Sequence, residues 1–191
     1  LYRFYARRKL NKLTASKELF AKSELGLFVA LVAKVAKADG RVQELEAQLI
    51  GIMFDDISKL FNEKEKARAI LKEIFNEEKQ KDNDTKQIAQ DLNKLLSRSM
   101  LKRRQFLGFL IQLAFIDGGI SQDEKKVLHD IMQELNIPSS VYDDIVNKFE
   151  NMMKNKQQTM SSKEAYEILG VKESDDMDTI KKAYRQLIRK Y

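Results

Sequence analysis

The sequence predicts an all-α protein: a helical bundle built on an internal helix–turn–helix repeat, followed by a shorter helical segment. Three observations carry this. Apolar residues recur at helical spacing through most of the chain. Seven Gly and one Pro in 191 residues, with 43% hydrophobic residues, leave few helix breakers and enough apolar side chains for a core. Finally, the stretch Phe28 to Glu46, FVALVAKVAKADGRVQELE, returns 78 residues later without a gap as Phe106 to Glu124, FLGFLIQLAFIDGGISQDE. Phe28 meets Phe106, Leu31 meets Phe109, Val35 meets Leu113, Asp39-Gly40 meets Asp117-Gly118, Val42 meets Ile120 and Glu46 meets Glu124. Each copy reads as an apolar helix, a turn at Asp-Gly and the start of a second helix. Neither copy alone can bury its apolar stripe, so the two are expected to pack together.

Taken in order, the chain opens with LYRFYARRKLNKL, which mixes Tyr2, Phe4 and Tyr5 with Arg3, Arg7, Arg8, Lys9 and Lys12. Such a mixture flanks transmembrane helices on their cytoplasmic side, so an apolar helix upstream of Leu1 is expected; a solvated basic tail is the equal alternative. The stretch has no apolar h-region of a signal peptide, and no run of the sequence is long and apolar enough to span a membrane. Over 25–38, Phe28, Leu31, Val32 and Val35 make one buried helical stripe, and Gly40 suits a left-handed residue just past the helix end. Leu45, Leu49, Ile50 and Met53 mark a second helix. Asn62-x-x-Glu65 reads as a capping box that opens a third, with Ala67, Ile70, Leu71 and Ile74 facing inward. The polar run Glu77 to Lys86 reads as a solvated turn, after which Ile88, Leu92, Leu95 and Leu96 give a fourth helix.

The second copy supplies a helix over about 102–116, and Ser121-x-x-Glu124 is a capping box for the next. That helix runs through Val127, Leu128, Ile131 and Met132 to about Leu135, where Asn136-Ile137-Pro138 breaks it. Ser139 or Ser140 is expected to cap a last helix with Val141, Ile145, Phe149 and Met152 or Met153 on one face. Lys154 to Ser162, KNKQQTMSS, reads as a linker or as an extension of that helix.

The net charge of +6 is unevenly spread. Residues 1–20 carry +5 and residues 177–191 carry +4, which leaves the middle at −3. A mildly acidic body without a basic face argues against nucleic acid as a partner. With no Cys, a single His (His129) and no Gly-rich loop, the chain offers no nucleophile–base pair, thiolate site or phosphate cradle, and an enzyme is not expected. The absence of Cys also fits a reducing compartment.

Asp39 and Asp117 stand at helix C-termini, where a carboxylate opposes the helix dipole by roughly 0.3–1 kcal/mol. An Asx-type turn, in which the carboxylate accepts backbone N–H groups, offsets this. A second reading is a divalent-cation site, because D-G-x-[IV]-x-x-x-E matches the second half of an EF-hand loop. The first half of such a loop fails: its ligand positions would fall on Val35 and Lys37, or on Leu113 and Phe115. Asp39, Glu46, Asp117 and Glu124 therefore read as structural turn residues, with a cross-repeat carboxylate cluster for a divalent cation as the alternative.

The doubled ADG/IDG helix–turn–helix, with acidic residues after each turn, resembles the TerB-like family over about residues 21–153. That family is known from tellurite-resistance proteins and from a membrane-bound class of DnaJ-related proteins. The resemblance implies a compact helical bundle, and some members are described as metal-binding.

At the other end, EAYEILGVKESDDMDTIKKAYRQLIRKY, Glu164 to Tyr191, resembles the opening of a J domain, the part of DnaJ-type co-chaperones that engages a DnaK-type chaperone. Tyr166 to Val171 matches the first short helix and its stop, and Ile180 to Tyr191 matches the second helix. Lys181, Arg185 and Arg189 form an i, i+4, i+8 line of like charge, which an acidic partner would explain. The resemblance implies chaperone-binding residues at Lys181, Lys182, Tyr184, Arg185, Arg189 and Lys190. Ala165 and Gln186 depart from the pattern, standing where the family often has an aromatic and a basic residue. The His-Pro-Asp tripeptide and third helix that follow in the family, and that trigger ATP hydrolysis, are not reached by Tyr191.

The expected organisation is a basic juxtamembrane-like segment (1–20), a TerB-like domain (21–153), a linker (154–162) and an incomplete J domain (163–191). This order resembles the DjlA group of bacterial membrane co-chaperones. It implies a DnaK-type chaperone as partner, with client proteins unspecified, and a cytoplasmic location at the inner face of the plasma membrane. A divalent-metal-responsive stress module is the alternative.

Overall fold

A helix that is apolar on every side has to be surrounded, and residues 24–37 satisfy that condition. In the computed structural model, which describes residues 10–82 and 84–159 (side chains through Met152), 166, 169–172, 174–176 and 179, this helix is the centre of the fold. A 3-10 turn, Lys12–Ala15, precedes α1 (Lys17–Ala21), α2 (Glu24–Lys37), α3 (Glu44–Ser58), α4 (Lys64–Gln80), α5 (Thr85–Leu96), α6 (Met100–Phe115), α7 (Gln122–Glu134) and α8 (Ser139–Thr159). No strand occurs among the described residues, as expected of an all-α fold. The chain divides into two compact units, Leu1–Asn147 and Lys148–Tyr191.

Within the first unit, α2 packs against α1, α4, α5, α6 and α7. The expected stripe of Phe28, Leu31, Val32 and Val35 is buried, but so are Val29, Ala30, Ala33, Lys34 and Ala36. The reason for the wider burial is that the opposite face carries Ala and Val rather than polar residues. Its entry is equally tight. A Cβ at Gly26 would lie 2.1 Å from the Phe20 carbonyl oxygen, so only glycine lets α1 and α2 approach this closely. Phe20 itself is fully buried, 5.3 Å from the ring of Phe61.

The buried Lys34 closes the α4–α5 corner. Its ammonium donates to the carbonyl oxygens of Glu78 (2.7 Å) and Lys81 (2.9 Å) and pairs with Asp84 (2.6 Å) and Glu78 (3.4 Å). The run Glu77 to Lys86 is thus not a freely solvated turn. Helix α4 continues to Gln80, and the corner after it is tied to the core.

Several local expectations are corrected. Asn62 does not cap α4; Glu63 takes the N-cap position, and the Asn62 N–H donates instead to the Asn11 side chain at 2.9 Å. Leu45 is 47% exposed, because the buried face of α3 is set by Glu46, Ile50, Met53 and Ile57, one position away. Leu95 is likewise exposed, while Leu96 is buried. Helix α8 begins at Ser139, so neither serine stands outside it as a cap; the Pro138 carbonyl instead accepts the Val141 and Tyr142 N–H groups at 3.0 and 3.3 Å. The break before it is a Schellman stop, with Asn136 at φ 50° and the Ile137 N–H bonded to the Met132 carbonyl at 3.1 Å.

Candidate functional site

The Asp-Gly turns obey the repeat down to single hydrogen bonds. Gly40 and Gly118 sit at φ 103° and 106°, a region open to glycine and strained for other residues. The Gly40 N–H reaches the Lys37 carbonyl at 2.8 Å, and the Gly118 N–H reaches the Phe115 carbonyl at 3.1 Å. Ala38 bonds back to Val35 at 3.0 Å and Ile116 to Leu113 at 3.2 Å. In the first copy, Asp39 accepts the Arg41 N–H at 3.4 Å, a long Asx-type contact.

Beyond each turn the glutamate folds back onto its own helix start. Glu46 accepts the Gln43 N–H at 2.8 Å, and Glu124 accepts the Ser121 N–H at 2.7 Å while its own N–H donates to Ser121 Oγ at 3.1 Å. The Ser121–Glu124 capping box is therefore present as expected, and Gln43–Glu46 is its counterpart. Both carboxylates are buried, at 3% and 6% exposure.

The two turns also share an electrostatic neighbourhood. Burial pushes the Glu46 carboxyl up to about 7 against the lowering effect of its Gln43 hydrogen bond, and the charges of Glu124, Asp117 and Asp39 push it further the same way. All four carboxylates are thus brought to one region across the repeat. They do not form a coordination shell: no group of three or more His, Asp or Glu among the described residues is arranged to hold a metal ion. The hydrogen bonds these carboxylates make are those of a turn and of helix caps.

The turns lie near a pseudo-dyad between α2 and α6, because residues one repeat apart meet. Phe28 stacks on Phe106 with centroids 4.3 Å apart, and Glu24 pairs with Lys102 at 2.6 Å. The relation extends to the second helices, since α2 touches α7 and α3 touches α6.

In the second unit, Tyr166 and Leu169 are helical, Gly170 stands at φ 67°, and the Val171 N–H returns to the Tyr166 carbonyl at 3.0 Å. This is a Schellman stop with glycine at C′. Asp175 accepts the Lys172 N–H at 2.8 Å. Asp176 then accepts the N–H and the hydroxyl of helical Thr179 at 2.9 and 2.8 Å, the pattern of an N-cap with its third helical residue. Lys181, Lys182, Tyr184, Arg185, Arg189 and Lys190 lie outside the described residues, as do Arg3, Arg7, Arg8 and Lys9. No helix among the described residues is long and apolar enough to cross a membrane.

Sequence reasoning passed over Lys34. A single cation inside the run FVALVAKVA was the available signal, but its partners come from a corner more than forty residues away.

Comparison with known proteins adds the family. Residues 27–147 match the family model described as tellurite resistance protein TerB. The chain is 23% identical to the co-chaperone protein DjlA of Haemophilus influenzae over 95% of its own length and 70% of that protein's. It is 26% identical to DjlA of Yersinia pestis over 83% of its length and 63% of the relative's. A shorter match, covering 46% of the chain and 38% of the relative, reaches 33% identity with DjlA of Escherichia coli. The chain therefore spans about two-thirds of the length of the first two relatives. No solved structure matches it. With the paired turns, the pseudo-dyad and the family match all falling on one helical unit, the chain belongs to the TerB family.

Proposed function

We propose that this chain is the TerB-like domain and the opening of the J domain of a DjlA-type co-chaperone, which recruits a DnaK-type chaperone and stimulates its ATP hydrolysis. The observation that carries the reading is the reach of the likeness. It covers 95% of the chain in one DjlA co-chaperone, well beyond the 27–147 matched by the TerB model, and so takes in most of residues 148–191. The Gly170 stop and the Asp176 cap support it, since they bracket the turn that the J-domain resemblance requires between its first two helices.

In this reading the chain does no bond chemistry of its own. Lys181, Lys182, Arg185, Arg189 and Lys190, with Tyr184, form the cationic surface that meets an acidic face of the chaperone. Such a surface raises the encounter rate and weakens with salt. Tyr2, Phe4, Tyr5 and the arginines beside them suit the cytoplasmic border of a membrane helix, which would hold the protein at the inner face of the plasma membrane.

A single-turnover ATPase assay with a DnaK-type chaperone tests the reading. Residues 1–191 alone should give no stimulation, and a chain extended by a His-Pro-Asp loop and a third J helix should stimulate. Lys181→Ala with Arg185→Ala in the extended chain should reduce the stimulation about tenfold. Acceleration by residues 1–191 alone, or none by the extended chain, would overturn it. Membrane tethering fails if the native full-length protein is recovered in the soluble fraction after lysis.

A further inference from the structure

Helix α4 sorts its charges to two sides. Glu73 and Glu77 face Lys17 beside α1, at 3.0 and 2.5 Å. Arg68, Lys72 and Lys79 instead line a groove of about 310 Å³ between α3 and α4. Arg68 is paired with Asp55 at 2.5 Å, and the Lys79 ammonium lies 5.9 Å from the ring centre of Phe75. Lys72 is exposed and makes no ion pair among the described residues. Repeated like charge along one helix edge raises the energy of the free protein, and the body between the two basic ends is otherwise net acidic.

The groove between these cations and α3 is apolar and recessed. Its floor is Ile50, Phe54 and Phe75, each less than 8% exposed. The α3 wall is low, because Ala47 and Gly51 stand there one turn apart, and a Cβ built at Gly51 would meet nothing within 4 Å. In the second copy, the positions of Ala47 and Gly51 are held by Lys125 and His129, so the groove belongs to the first copy alone.

We propose that this α3–α4 groove is a docking site for an acidic amphipathic helix of a partner protein. Apolar side chains at i, i+4 and i+7 of the incoming helix would enter over Ala47 and Gly51, and carboxylates on its flank would meet Lys72, Lys79 and Arg68. Arg68 and Lys79 are about 16 Å apart along α4, which matches three turns of partner helix. A bilayer does not fit, because its surface cannot reach a floor sunk between two helices. The chain's own ends do not fit either, since residues 1–20 and 177–191 carry +5 and +4. The proposal stands independently of the co-chaperone reading.

Fluorescence anisotropy with residues 1–191 tests it. The ligand is a labelled synthetic helix of about eighteen residues, with Leu at i, i+4, i+7 and i+11 and Glu along one flank. It should bind at least about tenfold more tightly than the same peptide with Lys in place of Glu, and the preference should shrink with salt. Lys72→Glu and Gly51→Leu should each weaken binding at least about tenfold without lowering Tm. Four results would overturn the proposal: equal affinity for the two peptides, binding unchanged in both variants, Lys72-dependent capture by phosphatidylglycerol vesicles in place of peptide binding, or a dimer of the chain that Gly51→Leu dissociates.

Discussion

Helices α2 and α6 begin from one pattern and finish in different surroundings. The shared half is internal: Val29, Val32, Ala33, Val35 and Ala36 are buried, and so are their counterparts Leu107, Leu110, Ile111, Leu113 and Ala114. The other half diverges. Phe28, Leu31 and Lys34 are buried, whereas Phe106 and Phe109 are half-exposed and Gln112 is exposed. The repeat fixes which face of each helix meets the pseudo-dyad. What lies around that seam depends on which neighbours the topology supplies: Phe28 is buried beneath Phe106 and Phe109 of α6, which stay half-exposed, and Lys34 is enclosed by the α4–α5 corner, whereas its counterpart Gln112 is exposed. Related local patterns therefore yield one helix buried on every side and one buried on a single side.

Equivalent substitutions in the two copies sharpen that contrast. The largest difference is expected at Lys34. Lys34→Met leaves Asp84 without its cation, Glu78 with Lys81 alone and the Lys81 carbonyl without its donor, costing about 3 kcal/mol after allowance for the partial exposure of Asp84. The matching Gln112→Met, on the surface, should change stability by no more than about 0.5 kcal/mol. Urea titrations of both variants measure the gap, and equal effects would deny α2 its interior role.

Gly26 and Arg104 form the next pair. Gly26→Ala drives a methyl group against the Phe20 backbone, and the helix propensity gained returns only part of that cost; a net loss of about 2 kcal/mol is expected. Arg104→Ala, at the equivalent exposed position, should be nearly silent in the same thermal melts.

The buried glutamates give a pH test. Glu46 holds its proton up to about 7 in the folded protein, against 4.5 for the ordinary side chain. The folded state thus binds this proton more tightly than the unfolded chain. Its contribution is complete below about 4.5 and is lost as pH rises towards 7, by on the order of 2 kcal/mol in all. Glu46→Gln keeps an acceptor for the Gln43 N–H and should flatten this slope, leaving the variant more stable than the parent at pH 8. Glu124→Gln removes one of the charges acting on Glu46 and should move the transition to lower pH. Urea midpoints from pH 4 to 8 decide; a slope unchanged in Glu46→Gln sinks the assignment.

The smallest effect is a gain. Gly51→Ala should stabilise the protein by about 1 kcal/mol through helix propensity, since nothing obstructs the added methyl. A calorimetric Tm that falls would mean the groove is narrower than described.

Much of this architecture was legible before any coordinates. Periodicity located the helices, and the repeat announced its own packing, because Phe28 and Phe106 align in sequence and stack in space. The glycine turns followed from the lack of any other residue that tolerates φ near 100°. The failures were of two physical kinds. Leu45 and Asn62 were assigned by local rules, yet a buried Glu46 rotated the face of α3 and Asn11 took the Asn62 N–H across the fold. The partners of Lys34 depend on long-range placement, which side-chain spacing along one helix cannot encode.

The all-round apolarity of α2 also has a consequence in time. On a ribosome this helix emerges early, while α4 to α7, which enclose it, are complete only at Glu134. At ordinary synthesis rates that interval is roughly 5–20 s. Throughout it, a segment with no polar side to turn towards water waits for its cover. Nascent chains arrested before α7 should therefore be the aggregation-prone species, and the bundle's vulnerability lies in its order of synthesis as much as in its finished stability.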